Sequence, residues 1–258
     1  MKDGKMDKIK KFFQERKYAL LLLLWVVFIV WYFLMNKVDK NLHLIHIPID
    51  DKIPFVEFFV IFYVLWYGYI AFSFIWTLVT SKRDFLTMCS LVFLTYLTSL
   101  IVITVYPSYH DLRPDPSTVR DNLFTKLVFA LYSTEEPRCI FPSMHCMGVL
   151  AMSVGLLFAE SLKGKLWPKI VCPIFSVLVM LSTVFIKQHS FADVLLAIGM
   201  IVPVCLLTYF VIVPKRRFAP NVRPQQEEPP SLQEEITVAT EELPEEETES
   251  SDPVDPRS

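Results

Sequence analysis

The sequence predicts an all-α membrane protein, a bundle of about six transmembrane helices followed by a disordered acidic tail. Hydrophobic residues make up 53% of the 258 residues, and they form long uninterrupted blocks instead of following the period of a soluble helix or strand. Residues 1–220 carry 23 Lys and Arg against 15 Asp and Glu, whereas residues 221–258 carry 2 against 12. A mildly basic membrane body is therefore joined to an acidic tail.

The transmembrane helices are predicted from the lengths of the apolar blocks. A helix needs roughly 20 apolar residues to cross a hydrocarbon core of about 30 Å. The first block follows a lysine-rich start without a small-residue cleavage site, so we expect an uncleaved span. The fourth block is the shortest. The six predicted spans are residues 18–35, 55–80, 85–106, 145–160, 166–186 and 191–213.

The orientation is predicted from the Lys and Arg residues of the loops. One side of a six-span bundle carries 15 of them before the tail, and the other carries eight. We therefore expect a multi-pass cell-membrane protein with both termini in the cytoplasm and the long loop 107–144 outside. The predicted regions are a basic N-terminus (1–17), a membrane domain (18–213) and a tail (214–258). Residues 221–258 are too polar to offset their ordering entropy, so we expect disorder, as a spacer or a regulatory tail.

The cysteines indicate neither a structural metal nor a disulfide framework. They lack a CxxC pair, and three lie inside apolar blocks, where cysteine behaves as a small hydrophobic residue. Two of them, Cys139 and Cys146, lie near the predicted outer face, where a disulfide between them is open. We expect no metal, no cofactor and no nucleic-acid partner. The five cysteines are Cys89, Cys139, Cys146, Cys172 and Cys205.

Polar residues concentrate in three stretches at the predicted outer edge of the membrane, residues 106–114, 141–145 and 182–193. Ionisable residues at membrane depth are costly and usually functional. Because three stretches that are distant in sequence meet at one face, we expect a functional site there.

The second and third stretches predict a phosphate site with two histidines. Pro142 suits a first helical turn, so Ser143 and the following N–H groups would form an anion site at a helix N-terminus, with His145 in the same turn. His189 and Asp193 are four residues apart and share a helical face. A carboxylate bonded to one ring nitrogen leaves the other free as nucleophile or base.

Two cations complete the predicted site, because Arg113 and Lys187 both match phosphate oxygens. Together these residues suit phosphoryl transfer without a metal. Simpler interpretations remain open: Arg113 as an ordinary loop residue, and Lys187 as a side chain that extends to the interface. His110 is interpreted as an ordinary loop histidine. The same interpretation is favoured for His43 and His46, although these two could pair on a metal.

At these residues the sequence resembles the type 2 phosphatidic acid phosphatase and haloperoxidase superfamily. Its motifs are Lys-x6-Arg-Pro, Pro-Ser-Gly-His and Ser-Arg-x5-His-x3-Asp. The order and spacing agree over about residues 50–213, but Tyr106 replaces the lysine, Met144 the glycine and Thr183 the arginine. Lys187 could supply the charge that Thr183 lacks. The pattern looks like the branch that includes inositol-phosphoceramide synthases.

The resemblance implies roles for the site residues. His189 attacks phosphorus and forms a phosphohistidine, Asp193 holds its imidazole, and His145 protonates the leaving oxygen and then activates the acceptor. The phosphate oxygens are bound by helix N–H groups and three side chains. These are Arg113, Ser143 and Lys187.

The expected function is hydrolysis of phosphate monoesters or diesters at the outer leaflet, with a lipid phosphate or isoprenoid phosphate as substrate. Transfer of a phospho-headgroup to a lipid or sugar hydroxyl is the alternative, since the motifs are identical for both. A catalytically weak lipid-binding member is a further alternative. A small transporter is disfavoured, because transporters place polar groups at mid-membrane.

Overall fold

The computed structural model describes residues 16–39 and 41–213, which form an all-helical fold. The predicted disordered tail and most of the basic N-terminus lie outside the described residues. Short 3-10 turns, Lys17–Leu23 and Glu57–Phe59, lead into the first two helices, and a π-helical turn, Thr208–Ile212, extends the last. The α-helices of the described part are α1 (Leu24–Asn36), α2 (Val60–Thr80), α3 (Lys82–Val105), α4 (Leu123–Thr134), α5 (Met144–Leu157), α6 (Trp167–Phe185) and α7 (Phe191–Leu207).

Five helical stretches of the described part are long and apolar enough to cross a membrane, and they correspond to five of the six predicted spans. They are Lys17–Asn36, Glu57–Thr80, Lys82–Val105, Trp167–Phe185 and Phe191–Ile212. Their outward faces carry exposed Leu, Ile, Val and Phe side chains, as expected where lipid is the solvent. The protein is therefore a helical membrane protein.

The fourth predicted span, 145–160, is corrected by the structure. It forms α5, which has 14 residues and is about 21 Å long at 1.5 Å per residue. The apolar run continues past its end, but the helix ends at Leu157, with Phe158 as its C-cap, and a 3-10 turn follows at Glu160–Leu162. Because α5 packs against α2, α3, α6 and α7, it lies inside the bundle and need not match the full thickness of the lipid.

The chain path still alternates between two ends of the bundle, as a six-crossing arrangement requires. At one end, which we call the site end, the α1–α2 loop contacts the α6–α7 turn through Asp50 and Ser190. At the other end, Asp84 at the start of α3 accepts hydrogen bonds from the backbone nitrogens of Glu160 and Ser161, at 3.0 and 2.9 Å. The short helix α5 therefore runs from the site end to the opposite end.

Three buried hydroxyl groups inside the bundle are paired with one another. The Tyr69 hydroxyl lies 2.9 Å from Ser153 Oγ, which lies 2.8 Å from Ser176 Oγ. These contacts connect α2, α5 and α6. Pairing is expected, because an unpaired polar group in an apolar interior is costly.

The site end has more regular structure than the sequence analysis anticipated. The long 107–144 loop contains α4, capped by Asn122, whose side chain accepts from Thr125 N. It also contains a short strand, β2 (Ser108–Tyr109), that pairs in parallel with β1 (His43–Leu44) of the α1–α2 loop. The Asn cap before an apolar run was an available signal for α4. Pairing of two-residue strands leaves no such signal.

Candidate active site

The α6–α7 turn places His189 against Asp193 as the sequence predicted. The Nδ1 atom of His189 lies 3.0 Å from Asp193 Oδ2, and the backbone N–H of Ser190 donates to the same oxygen at 3.0 Å. Ser190 caps α7, and Asp193 is fully buried in its first turn. Because the carboxylate accepts, His189 carries its hydrogen on Nδ1 and keeps a lone pair on Nε2.

Thr183, which stands at the position of the family's arginine, holds this turn through its backbone. Its carbonyl accepts from the backbone nitrogens of Gln188 and His189, at 3.0 and 3.1 Å. Its buried hydroxyl donates to the carbonyl of Met180 at 2.7 Å. Lys187 adopts a left-handed conformation, with φ of 54°, which lets the chain turn between the two helices.

Asp50 is a structural residue that the sequence analysis missed. Its carboxylate accepts from Ser190 Oγ at 2.6 Å and from the backbone nitrogens of Phe191 and Ile47, at 2.8 and 2.9 Å. Its carbonyl accepts from Lys187 Nζ at 2.7 Å. Asp50 therefore fastens the start of α7, where a negative charge also complements the helix dipole.

His145 lies in the first turn of α5, opposite His189. Ser143 caps this helix by accepting from the backbone nitrogen of Cys146 at 3.3 Å, so Pro142 precedes the cap instead of occupying the first turn. The His145 ring packs against Tyr63 and Trp66, with centroids 4.4 and 4.3 Å apart. Its centroid is 5.8 Å from that of His189.

A carboxylate that the sequence analysis missed lies beside the two histidines. Glu135 accepts from the hydroxyl groups of Tyr63 and Tyr67, at 2.5 and 2.9 Å, and from Gln188 Nε2 at 2.9 Å. The Oε1 atom of Gln188 accepts from Arg113 at 2.7 Å. We call these five residues the Glu135 network. No motif marks Glu135, which in the sequence resembles any polar loop residue.

Among the described residues, Arg113 donates its hydrogen bonds to neutral oxygen acceptors. Besides Gln188, it donates to the carbonyls of Tyr132 and Glu135, at 3.1 and 2.5 Å, and its guanidinium lies 4.2 Å from the centroid of the Tyr132 ring. Burial lowers the pKa of Arg113, but a guanidinium remains charged. Among the described contacts its guanidinium is therefore connected to His145 only through Gln188, Glu135 and Tyr63.

A small cavity of about 30 Å³ lies between the histidines. In the described structure its lining includes neither Arg113, Ser143 nor Lys187. The Lys187 ammonium donates to Asp50, and burial lowers the pKa of this amine. A space of this size holds one or two water molecules, so a phosphate ester requires movement of the lining. The lining residues are Tyr32, Tyr63, Glu135, Glu136, Arg138, Cys139, Ile140, Met144, His145, Gln188 and His189.

His110, interpreted from sequence as an ordinary loop histidine, is buried near the site with 3% of its surface exposed. Its Nδ1 accepts from the backbone nitrogen of Leu112 at 3.2 Å, and its Nε2 lacks a partner among the described residues. Burial, reinforced by the positive charge of Arg113, lowers the pKa of His110 to about 3. The ring is therefore neutral at physiological pH, with its hydrogen on Nε2.

The remaining histidines and cysteines of the described part form other contacts. His46 lies between Asp51 and Asp111, 2.9 and 2.8 Å from their carboxylates, and His43 stacks on Tyr106 with ring centroids 4.1 Å apart. All five cysteines, which lie in the described ranges, are free thiols. A group of three residues able to hold a metal ion is not found in those ranges.

Fold and site together define a helical membrane protein with a histidine–aspartate pair facing a second histidine. The model of the PAP2 superfamily matches residues 89–218, half of the chain, so this protein belongs to the PAP2 superfamily. The match does not separate the branches of the superfamily, and the inositol-phosphoceramide synthase branch stays a prediction. No curated protein and no solved structure matches the chain.

Proposed function

We propose that this protein is a lipid-phosphate phosphatase that works through a phosphohistidine on His189. The observation that carries the proposal is the hydrogen bond between His189 Nδ1 and the buried Asp193 carboxylate. This bond leaves Nε2 of His189 as a nucleophile on the side of the ring away from Asp193. Superfamily membership supports a phosphate ester as the substrate.

The first proposed step is transfer of the phosphoryl group to the enzyme. The Nε2 lone pair of His189 forms a bond to phosphorus while the ester P–O bond breaks. His145, which takes up a proton on Nε2 when the phosphate ester binds, gives that proton to the departing oxygen, which leaves as an alcohol. The imidazolium charge that develops on His189 is stabilised by Asp193, which stays ionised as in other carboxylate–histidine pairs.

The second proposed step releases phosphate. His145, now neutral, takes a proton from a water molecule, whose oxygen attacks phosphorus as the N–P bond breaks. Both histidines then return to their starting states. We propose that Arg113, Ser143, Lys187 and the N–H groups that begin α5 bind the phosphate oxygens, after the cavity lining has moved to admit the ester.

The surroundings of the site suit a lipid substrate. An apolar groove of about 330 Å³ lies between the ends of α6 and α7 that carry the His189 turn. A hydrocarbon chain could pack there while its headgroup approaches the histidines from the site end. The excess of Lys and Arg in the sequence segments predicted to be cytoplasmic supports an outer-leaflet location. The groove is lined by Ile49, Ile53, Val177, Met180, Leu181, Val184, Phe185, Phe191 and Val194.

Phosphotransfer to a lipid or sugar hydroxyl is the second candidate. It uses the same first step, and an alcohol replaces water in the second. The motif pattern of the sequence, which looks like that of the inositol-phosphoceramide synthase branch, favours it.

The test is phosphate release by the purified full-length protein in detergent. Phosphatidic acid and an isoprenyl pyrophosphate are supplied with EDTA, to the wild type, His189→Ala and the control His43→Ala, which removes an exposed loop histidine. Release by the wild type and the control, with none by His189→Ala, is expected. Equal release by His189→Ala would refute the proposal. Turnover that requires an added alcohol would support transfer, and silence with every acceptor would leave a lipid-binding protein.

A further inference from the structure

The side chain of Tyr63 connects His145 to a carboxylate. Its hydroxyl oxygen lies 2.5 Å from Glu135 Oε2 and 3.5 Å from His145 Nδ1. A phenol has one hydrogen, and the shorter contact takes it, so Tyr63 donates to Glu135. Toward His145 the hydroxyl oxygen can only accept. The hydrogen of the neutral His145 ring therefore belongs on Nδ1, facing Tyr63.

The hydrogen bonds of Gln188, on the other side of Glu135, also support the direction of donation from Tyr63 to Glu135. Arg113 can only donate, so the Gln188 oxygen faces Arg113 and the Gln188 amide nitrogen faces Glu135. Glu135 therefore receives an N–H donor whose direction cannot reverse, together with the two tyrosine hydroxyl groups. Both oxygens of Glu135 therefore act as acceptors toward these donors.

We infer that Tyr63 and Glu135 are positioning residues for His145, and that they act on it as Asp193 acts on His189. They hold the hydrogen of His145 on Nδ1 and leave Nε2 for proton exchange. Nε2 of His145 is buried and has no partner among the described residues, so it is available to a leaving oxygen or a water molecule. The inference rests on the proposed function, in which His145 is the acid and base.

The physical consequence concerns the proton that His145 carries. When Nε2 takes up a proton, the ring becomes an imidazolium in a buried position. The Glu135 carboxylate then stabilises that charge through the Tyr63 hydroxyl, since charge-assisted hydrogen bonds are stronger than neutral ones. The 3.5 Å separation is long for a hydrogen bond, and such contacts commonly tighten when substrate binds.

A purely structural role for Tyr63 is the competing explanation. Tyr63 is fully buried, and its bond to Glu135 also attaches the loop after α4 to α2. Tyr67 serves as the matched control, because its hydroxyl bonds the same carboxylate at 2.9 Å but makes no hydrogen bond to His145 among the described contacts. Loss of either hydroxyl weakens the loop attachment, whereas only loss of the Tyr63 hydroxyl removes the acceptor for His145.

The first test does not depend on turnover. Nitrogen-15 NMR of the histidine-labelled full-length protein in detergent reports which ring nitrogen carries hydrogen, with His145 assigned through its absence in His145→Gln. We expect the Nδ1–H form in the wild type and in Tyr67→Phe, and a shift toward Nε2–H in Tyr63→Phe. An Nε2–H ring in the wild type, or an unchanged ring in Tyr63→Phe, would overturn the inference even if the enzyme is active.

The second test uses the leaving group. Phosphatidic acid releases an alkoxide that needs a proton, whereas p-nitrophenyl phosphate releases a stable phenolate that does not. General acid catalysis contributes roughly 100–10,000-fold, so Tyr63→Phe and Glu135→Gln should lower kcat for phosphatidic acid about 10–100-fold. The effect on the aryl ester should be less than about threefold, with similar KM values.

The ratio of the kcat values for the two substrates distinguishes a positioning role of Tyr63 from a purely structural role. In Tyr67→Phe this ratio should equal that of the wild type. Equal losses on both substrates in Tyr63→Phe, or the same change of ratio in Tyr67→Phe, would contradict the inference. If the wild type turns over neither ester, the proposed function fails, and the NMR measurement still decides whether Tyr63 sets the tautomer of His145.

Discussion

At the scale of single residues, Asp193 accepts two hydrogen bonds on one oxygen, because Oδ2 accepts from both His189 and the backbone N–H of Ser190. Asp193→Asn keeps the side-chain shape but removes the charge. An amide oxygen that still faces these donors no longer stabilises the imidazolium of His189. We expect phosphate release to fall by roughly 100–10,000-fold, as in other carboxylate–histidine pairs, in the detergent assay with phosphatidic acid.

The control for Asp193 is Asp111→Asn, which also neutralises a carboxylate bonded to a histidine, His46, but at an exposed site. Its activity should stay within about twofold of wild type, because surface ion pairs contribute little. The double variant His189→Ala with Asp193→Asn should be no worse than His189→Ala alone, since the two residues act as a unit. A multiplicative loss would contradict the pairing.

A second prediction at this scale concerns His110 and pH. Its pKa in the folded protein is about 3, below the value of about 6.5 for an unfolded chain. Below pH 6.5 the unfolded state therefore binds a proton that the folded state does not. The contribution of His110 to the free energy of unfolding is therefore complete above pH 6.5. It decreases as pH falls, by about 1.4 kcal/mol per pH unit for one proton.

The variant His110→Asn removes this titration while an amide oxygen can still accept from Leu112 N. We expect the thermal midpoint in detergent to fall less steeply between pH 6.5 and 4 than that of the wild type. His43→Asn should follow the wild-type curve. If the curves of His110→Asn and wild type are parallel, the buried neutral state of His110 is wrong.

The residues that the sequence could and could not predict differ in how local their contacts are. His189 and Asp193 are an i, i+4 pair, and His145 follows a helix cap by two positions, so local geometry was sufficient to propose them. Tyr63 and Glu135 lie 72 positions apart, and Asp50 lies 140 positions from Ser190. Such contacts depend on how helices pack, which periodicity and motifs do not specify.

At the scale of elements, the packing of α5 on α3 depends on Gly155. A Cβ atom added there would lie 2.7 and 2.9 Å from Cε and Sδ of Met88, and Met88 is itself fully buried. Gly199 in α7 provides a control, because a Cβ atom there meets nothing within 4 Å. Both changes raise helix propensity by up to about 1 kcal/mol.

We therefore expect Gly199→Ala to leave stability unchanged or slightly higher. Gly155→Ala should be less stable than Gly199→Ala by about 1–3 kcal/mol, the usual cost of overpacking. The thermal midpoints of the two variants in one detergent check this. Equal midpoints would show that Met88 moves aside without strain and that the α3–α5 contact tolerates a methyl group.

The helices also show why the sequence predicted α5 as a full span. Residues 145–160 are apolar almost throughout, and composition does not reveal where a buried helix ends. In the structure the Asp84 carboxylate binds the backbone nitrogens of Glu160 and Ser161, and this interaction fixes a turn after α5. The five helices exposed to lipid were predicted more closely, because each must match the membrane by its own length.

At the scale of the whole molecule, the loops fall at two ends of the bundle, and only one end carries the histidines. The β1–β2 pairing, the Asp50 contacts and the α6–α7 turn all lie at the site end. In the sequence, Lys and Arg are more frequent in the segments predicted to be cytoplasmic. The proposed orientation thus puts the histidines outside the cell, where an enzyme of this kind would act on outer-leaflet lipids.

The orientation is tested by labelling single added cysteines in intact cells with a membrane-impermeant maleimide. Asp121→Cys lies in the loop before α4, where the Asp121 side chain is 82% exposed, and Lys163→Cys lies in the exposed loop at the opposite end. We expect Asp121→Cys to be labelled in intact cells and Lys163→Cys only after permeabilisation. The wild type is the blank, because four native cysteines are buried and Cys205 is half-buried. The reverse pattern would turn the site end toward the cytoplasm, and the substrate would then have to be a lipid phosphate of the inner leaflet, acted on by the same histidines.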